Sequence, residues 1–334
     1  MRRGSPGPYP RPVDITLRPL TRADIPAWAR LLADIEKVDQ TGEHYSAADL
    51  EEEMANPEIE VGKDIVGAYD GDTLVGYFSI LPRGEGEGHF KVHVEGSVLP
   101  LRRGEGIGTR LVEAMLARAE RVHAERRPDL PARLTTTGLS SDEAQADLLG
   151  TAGMSGERWN FVMRTALDAP PDEIPLPQGY EFVRYDASMA AAMLEAHNTA
   201  FLDHPNFTPW SETLWKQFVT ESRSFRPDLS FVVVPVGEKE IVAYLQTAEF
   251  DAYFEVTGRR EAYVGKLGTL REHRGKGIAG ALLVHCLHAY REAGFDEASL
   301  DVDSENPTGA LGIYERAGFA VESRWTNYFR VVRR

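Results

Sequence analysis

Arg274-Gly275-Lys276-Gly277-Ile278-Ala279 and Arg103-Gly104-Glu105-Gly106-Ile107-Gly108 write one glycine-rich pattern twice, 171 positions apart (274 minus 103). Each copy follows a short apolar run, Lys266-Leu267-Gly268-Thr269-Leu270 and Gly96-Ser97-Val98-Leu99, and opens a segment with helical patterning, Ala281 to Tyr290 and Leu111 to Ala119. A strand thus delivers a glycine turn to a helix start. That geometry aims successive backbone N–H groups, backed by the helix dipole, at an anion. The arginine adds a charge, and the small residues Gly106, Gly108, Gly277 and Ala279 let a diphosphate approach the backbone.

A glycine turn alone is a weak signal, because such turns often only join elements. The second copy, however, is followed by the strand Ala298-Ser299-Leu300-Asp301-Val302, by Asn306-Pro307, and by Ala310-Leu311-Gly312-Ile313-Tyr314-Glu315-Arg316-Ala317-Gly318-Phe319. Arg-x-x-Gly-x-Gly/Ala with a later Asn-x7-Tyr-x3-Gly-Phe resembles the GNAT superfamily, the acyl-CoA-dependent N-acyltransferases. The resemblance implies an α/β fold of two tandem GNAT domains, each a mixed twisted β-sheet flanked by α-helices on both faces.

Between the copies, Asp168-Ala169-Pro170-Pro171-Asp172-Glu173-Ile174-Pro175-Leu176-Pro177 carries four prolines and cannot sustain a helix. The same order of elements recurs around this spacer. Asp14-Ile15-Thr16-Leu17-Arg18 and Tyr180-Glu181-Phe182-Val183-Arg184 alternate as strands, and helices are expected over Asp24 to Ile35 and Ser188 to Phe201. A hairpin turns at Asp70-Gly71-Asp72. The expected organisation is a tail over 1–13, a GNAT domain over 14–167, a linker over 168–178 and a second GNAT domain over 179–334.

Composition narrows the function. The 334 residues carry a formal charge of −15 with 42% hydrophobic and 27% charged residues, an ordinary globular balance. Nucleic-acid binding needs a basic face, so this charge argues against it. A cationic amine is a comfortable substrate. No apolar run nears the ~20 residues that span a bilayer, and the start lacks an apolar signal core, which points to a cytoplasmic protein. Cys286 is the single cysteine; it excludes an internal disulfide and a cysteine zinc cluster, and its neighbours Leu282, Leu283 and Leu287 suit a buried structural thiol. No metal is expected.

The resemblance assigns roles residue by residue. The strand before the signature would carry a bulge and splay from its parallel neighbour, leaving backbone groups for the amide-rich arm of acetyl-CoA. The implied cofactor-binding set in the second copy is Leu267, Gly268, Thr269, Arg274, Gly275, Lys276, Gly277, Ile278, Ala279, Gly280 and Asn306. In the first copy it is Val98, Arg103, Gly104, Glu105, Gly106, Ile107, Gly108 and Thr109. Gly268 is expected to take irregular backbone angles, and an N–H there to polarise the thioester carbonyl. Tyr314 occupies the position of the proton donor to the departing thiolate, since a phenol of pKa ~10 is protonated at neutral pH. Counting back from Gly153-Met154, the first half has Leu149 for Tyr314 and Ser141 for Asn306. It keeps the cradle and lacks the phenol, so it is expected to contribute little catalysis.

For the general base, Asp251, Glu255 and Glu261 lie near the substrate face, and Glu261 is the first choice; His204 is a second titratable candidate. Phe207, Trp210, Trp215 and Phe218 either lid an acceptor site or pack a core. The stretch His197 to Trp210 is similar in part to the mycothiol synthase family, tandem GNAT enzymes of comparable size whose carboxy-terminal half is active. The expected activity is acetyl transfer from acetyl-CoA to a primary amine of a small molecule in the second domain. A peptide or protein amine is the alternative acceptor, and a non-catalytic acyl-CoA sensor the alternative class. Monomer and homodimer both remain open.

Overall fold

The computed structural model describes residues 14–86, 88–204, 207–304 and 309–333; the expected tail 1–13 and Asn306 lie outside them. Twelve strands are seen among the described residues. The first half holds β1 (Ile15–Pro19), β2 (Ile65–Asp70), β3 (Thr73–Gly86), β4 (His89–Val98), β5 (Ala132–Leu139) and β6 (Ser155–Ala166). The second holds β7 (Tyr180–Arg184), β8 (Phe231–Pro235), β9 (Ala243–Ala248), β10 (Glu261–Thr269), β11 (Glu297–Asp303) and β12 (Ala320–Val332). The helices are α1 (Ile25–Asp39), α2 (Ala47–Met54), α3 (Val61–Asp64), α4 (Ile107–Arg126) and α5 (Glu143–Thr151), then α6 (Ala190–Ala200), α7 (Glu212–Trp215), α8 (Asp251–Thr257), α9 (Ile278–Glu292) and α10 (Ala310–Arg316).

All twelve strands join one sheet in the order β1-β2-β3-β4-β5-β12-β6-β11-β10-β9-β8-β7. Each half contributes five strands of its own and closes with the last strand of the other. β12 lies antiparallel to β5, from Trp325 opposite Leu139 to Val332 opposite Ala132. β6 lies antiparallel to β11, from Glu297 opposite Ala166 to Asp303 opposite Asn160. The cores follow the exchange: Met163 and Leu167 sit in the second half's core, and Tyr328 in the first half's. The segments 14–167 and 179–334 therefore trade their terminal strands, because alternation in a sequence marks a strand without naming its partner.

Helices cover both faces. Trp28, Leu31 and Ile35 of α1 recur at helical spacing and pack with Tyr69, Leu74 and Tyr77 on one face. Leu111 and Met115 of α4 meet Phe78, Ile80 and Val92 on the other. Adjacent Tyr77 and Phe78 thus serve opposite cores, as the period-2 pleat requires. In the second half Met193 and Ala196 of α6 pack with Tyr244, and Leu282, Leu283 and Leu287 of α9 with Val264, Ala298 and Leu300. Cys286 is fully buried there, and burial pushes its thiol up, as expected of a structural cysteine. Among the described residues no helix is long and apolar enough to cross a membrane.

Two parallel pairs position the chemistry. β4 runs beside β5 only from Phe90–Ala132 to His93–Thr135, and β10 beside β11 only from Glu261–Glu297 to Val264–Leu300. Beyond those points the strands part. In β10 the register to β9 shifts between Val264 and Lys266, so Gly265 forms a bulge. β4 runs without one; the shift in that half falls on its neighbour β3, between Pro82 and Gly84.

Candidate active site

The parting of β10 from β11 opens into a cavity of about 1460 Å³. Leu267, Gly268, Thr269, Arg274, Gly275, Gly277, Ile278, Ala279 and Gly280 all line it, so the structure gathers most of the second-copy set into one place. Lys276 is outside, its ammonium donating to the Tyr180 hydroxyl at 3.1 Å. The turn has the geometry an anion needs. Gly275 and Gly277 are left-handed, φ 72° and 84°, a conformation that costs other residues but not glycine. Gly277 caps the 15-residue α9, and a Cβ on Gly280 would meet nothing within 4 Å. Thr269 Oγ1 is buried without a hydrogen-bond partner among the described residues, and past Val264 the edge of β10 that faces β11 carries no ladder. These open donors and acceptors fit an amide-rich, diphosphate-bearing ligand.

Two expected roles change. The signature arginine is a brace: Arg274 donates to both Asp203 oxygens at 2.5 and 3.1 Å, to Ala200 O at 2.5 Å and to Thr269 O at 3.0 Å. It fixes the end of α6 over the glycine turn. Gly268 is not the irregular residue; Gly265 is the bulge. Gly268 sits in regular register with Tyr244, and a Cβ there would lie 2.5 Å from Tyr244 Cε1. Glycine is needed because the Tyr244 ring occupies that space. The Tyr244 hydroxyl shares a 2.5 Å hydrogen bond with His197 Nδ1. His197 Nε2 is buried without a partner among the described residues, and burial first, then the Lys266 charge, holds the imidazole neutral with a pKa of about 3.

Tyr314 stands on α10 at the cavity wall, edge-on to Phe319 with ring centroids 6.2 Å apart. Its hydroxyl makes no hydrogen bond with the described residues, and burial pushes it up to about 12. A phenol so placed is protonated at neutral pH and open to a ligand. Trp210, Phe207 and Phe218 line the cavity, while Trp215 is wholly buried, so the aromatic stretch supplies both wall and core. His204 also lines it.

Glu261 is elsewhere. It begins β10 opposite Glu297, where Arg164 of β6 binds both carboxylates, and Tyr253 donates to Glu297. Seven residues of strand, roughly 23 Å, separate it from Gly268. Asp251 and Glu255 also lie outside the cavity. A carboxylate that does line the cavity is Asp301 on β11, one residue beyond the last parallel pair. Solvent reaches it within the cavity, yet surrounding protein raises it above the usual range, offset in part by the Tyr263 hydroxyl donating at 2.8 Å and by Lys266. A signal for it was present: Asp301 and Asp303 alternate with apolar residues at the end of a buried strand.

The first half repeats the turn away from this cavity. Gly104 and Gly106 are both at φ 81°, and Arg103 braces Asp39 at 2.7 and 2.6 Å and Val98 O at 3.1 Å. Glu105 is paired with Arg102. None of Val98, Arg103, Gly104, Glu105, Gly106, Ile107, Gly108 or Thr109 lines the cavity. Leu148 Cδ2 lies 3.1 Å from where a Cβ on Gly108 would be, and Leu149, the counterpart of Tyr314, is core.

A parallel strand pair splayed over a glycine turn at a helix start, with a phenol beyond it, defines an N-acyltransferase fold, here in tandem. The chain belongs to the acetyltransferase (GNAT) family, whose profile matches residues 28–133 and 191–319. It is 28% identical over 253 residues to the mycothiol acetyltransferase of Rhodococcus jostii, covering 75% of this chain and 77% of that protein. The mycothiol acetyltransferase of Salinispora arenicola is also 28% identical, with 94% of each chain covered. Among solved structures, a GCN5-related N-acetyltransferase from Sphaerobacter thermophilus superposes with a TM-score of 0.76 at 26% identity, over 96% of both chains.

Proposed function

We propose that the second half transfers acetyl from acetyl-CoA to a primary amine of a small molecule by direct attack. The observation that carries this reading is the single cavity in which the second glycine turn, the bulged edge of β10 and the free phenol of Tyr314 meet. Gly275, Gly277 and the start of α9 would hold the diphosphate, and the open edge of β10 the pantetheine amides. Bound acetyl-CoA supplies a thioester carbonyl. Backbone N–H groups beside the bulge polarise it. Asp301 takes the proton that the ammonium form of the acceptor must lose. The amine nitrogen then bonds to the carbonyl carbon, the carbon–sulfur bond breaks, Tyr314 gives its proton to the leaving thiolate, and the proton that the new amide nitrogen sheds restores the phenol.

The mycothiol acetyltransferases among its relatives support a small acceptor. The first half, with Leu149 in its core and Leu148 against Gly108, serves as a wall of the acceptor cavity. The test is thiol release with a panel of amines. Tyr314→Phe is expected to lower kcat by about 10²–10⁴, the range of a lost general acid, with donor binding unchanged. Leu149→Tyr is expected to add no activity. Unchanged turnover in Tyr314→Phe would remove the phenol's role, and tight donor binding with no amine consumed would make the protein a sensor.

A further inference from the structure

In a chain of net charge −15, the cavity is lined by an excess of cations. Asp203 is engaged by Arg274 and Asp303 by Arg158 at 2.7 Å, which leaves Glu157 and Asp301 as its other carboxylates among the described residues. Against them stand Arg83, Arg133 and Lys266. The placement is built. Arg83 is the extra residue of the β3 bulge, and Lys266 follows the β10 bulge, so each half kinks a strand to present a cation to the same space. Lys91 and Arg133 are paired directly across β4 and β5, extending the row along the first half's wall.

The surroundings of these cations are aromatic. The Arg83 guanidinium lies 5.4 Å from the Phe218 centroid, Arg133 4.1 Å from Phe329, and the Lys266 ammonium 4.7 Å from Trp210. None of these three donates to a carboxylate among the described residues. Burial, then repulsion from Arg83, pulls Lys266 down to about 8, and burial lowers Arg83. Like charges held together in a half-buried pocket and oriented by ring faces, with the Glu95 charge acting on Arg83 and the Asp301 charge on Lys266 offsetting them only in part, cost free energy that an entering anion relieves. The position eight residues before the signature arginine is acidic in the first half, Glu95, and basic in the second, Lys266. The second half has the charge reversed on the strand that faces the acceptor.

We infer that Arg83, Arg133 and Lys266 form an anion subsite, so that the acceptor is an amine that also carries a phosphate or carboxylate group. This rests on the acetyltransfer reading above and deepens it. The anion would sit between the walls of the two halves, which explains why the cavity needs a half that has no phenol. Arg83 and Arg133 offer planar donor forks suited to such a group.

The experiment compares glucosamine with glucosamine 6-phosphate. Thiol release gives kcat/KM for each, and quenching of tryptophan fluorescence follows glucosamine 6-phosphate binding without turnover, Trp210 being beside Lys266. Wild type is expected to favour the phosphorylated amine by about tenfold or more, mainly through KM. Arg83→Met and, separately, Arg133→Met should each cut that preference by about tenfold, the size of one lost charge-assisted hydrogen bond. Equal use of both amines, with the preference unmoved in both variants, overturns the subsite and leaves acetyl transfer standing. If neither amine is acetylated but glucosamine 6-phosphate binds and the two variants abolish binding, the subsite stands and the transfer reading falls. If the sugar phosphate neither binds nor reacts, the subsite is refuted.

Discussion

Gly268→Ala gives a direct measure of how tightly the strand at the cavity wall is built. The added methyl would lie 2.5 Å from Tyr244 Cε1 and 2.9 Å from both Cζ and the hydroxyl oxygen, against an ordinary contact near 3.4–4 Å. About 1 Å must therefore be found. Gly268 and Tyr244 are register partners, so the two backbones cannot slide apart without breaking the β9–β10 ladder. Nor can the ring yield easily: Tyr244 is 0% exposed and its hydroxyl is held 2.5 Å from His197. Overpacking costs about 1–3 kcal/mol. If the ring turns to make room, the buried His197 hydrogen bond is lost for ~1–3 kcal/mol more. The expected total is about 2–6 kcal/mol, which at ~2 °C per kcal/mol for a long chain lowers Tm by roughly 4–12 °C. Calorimetric unfolding measures it. The decisive control is the double-mutant cycle with Tyr244→Leu, in which the methyl fills vacated space, so that coupling exceeds about 1.5 kcal/mol. Additive single and double variants would refute the steric account.

His197 predicts an acid limb. Its folded pKa, about 3, lies below the ordinary ~6.5, so between those values the unfolded chain binds the extra proton and stability falls as pH drops below ~6.5. Urea-unfolding free energies at pH 7 and pH 5 should show wild type losing up to about 1.4 kcal/mol per unit more than His197→Phe near the lower end. In the first half, Arg118 meets the wholly buried Asp64 at 2.8 Å. Arg118→Met should cost about 3–5 kcal/mol, much of it recovered by adding Asp64→Leu, as measured by chemical denaturation. Glu261→Gln should lower Tm by loosening Arg164 while leaving kcat within about twofold. Asp301→Asn should lower kcat by at least about tenfold and flatten the acidic side of the pH–rate profile; the opposite pattern would return the base to Glu261.

The glycine turns, the helices they open and Tyr314 were legible because each is local: a φ near 80° demands glycine, and a phenol four residues before Gly-Phe is a spacing on one helix. Glu261 misled because nearness in sequence to the signature strand says nothing of which end of that strand faces the ligand. Nine residues of β10 place its two ends in different surroundings, an Arg164 ion cluster and the cavity. The braces Arg274–Asp203 and Arg103–Asp39 were illegible for a related reason: each joins residues more than sixty apart, and the arginine by itself reads as a phosphate ligand. Gly268 shows a third limit. A glycine in a strand marks either a bulge or a close approach, and only the Tyr244 ring decides between them.

The strand exchange ties these features into one account of why the chain keeps two halves. Were β6 to close the first sheet and β12 the second, the halves would be separate bodies joined by a proline spacer. With the strands traded, β6 and β12 are themselves paired from Ala320–Arg164 to Phe329–Ser155, which makes the midline of the sheet continuous. Glu157, Arg158 and Asn160 of β6 and Asn327, Tyr328 and Phe329 of β12 line the cavity from that midline. The wall carrying Arg83 and Arg133 is thereby held in fixed register against Lys266, Asp301 and Tyr314. The first half, with Leu149 where the second has Tyr314, thus forms the second wall of the cavity.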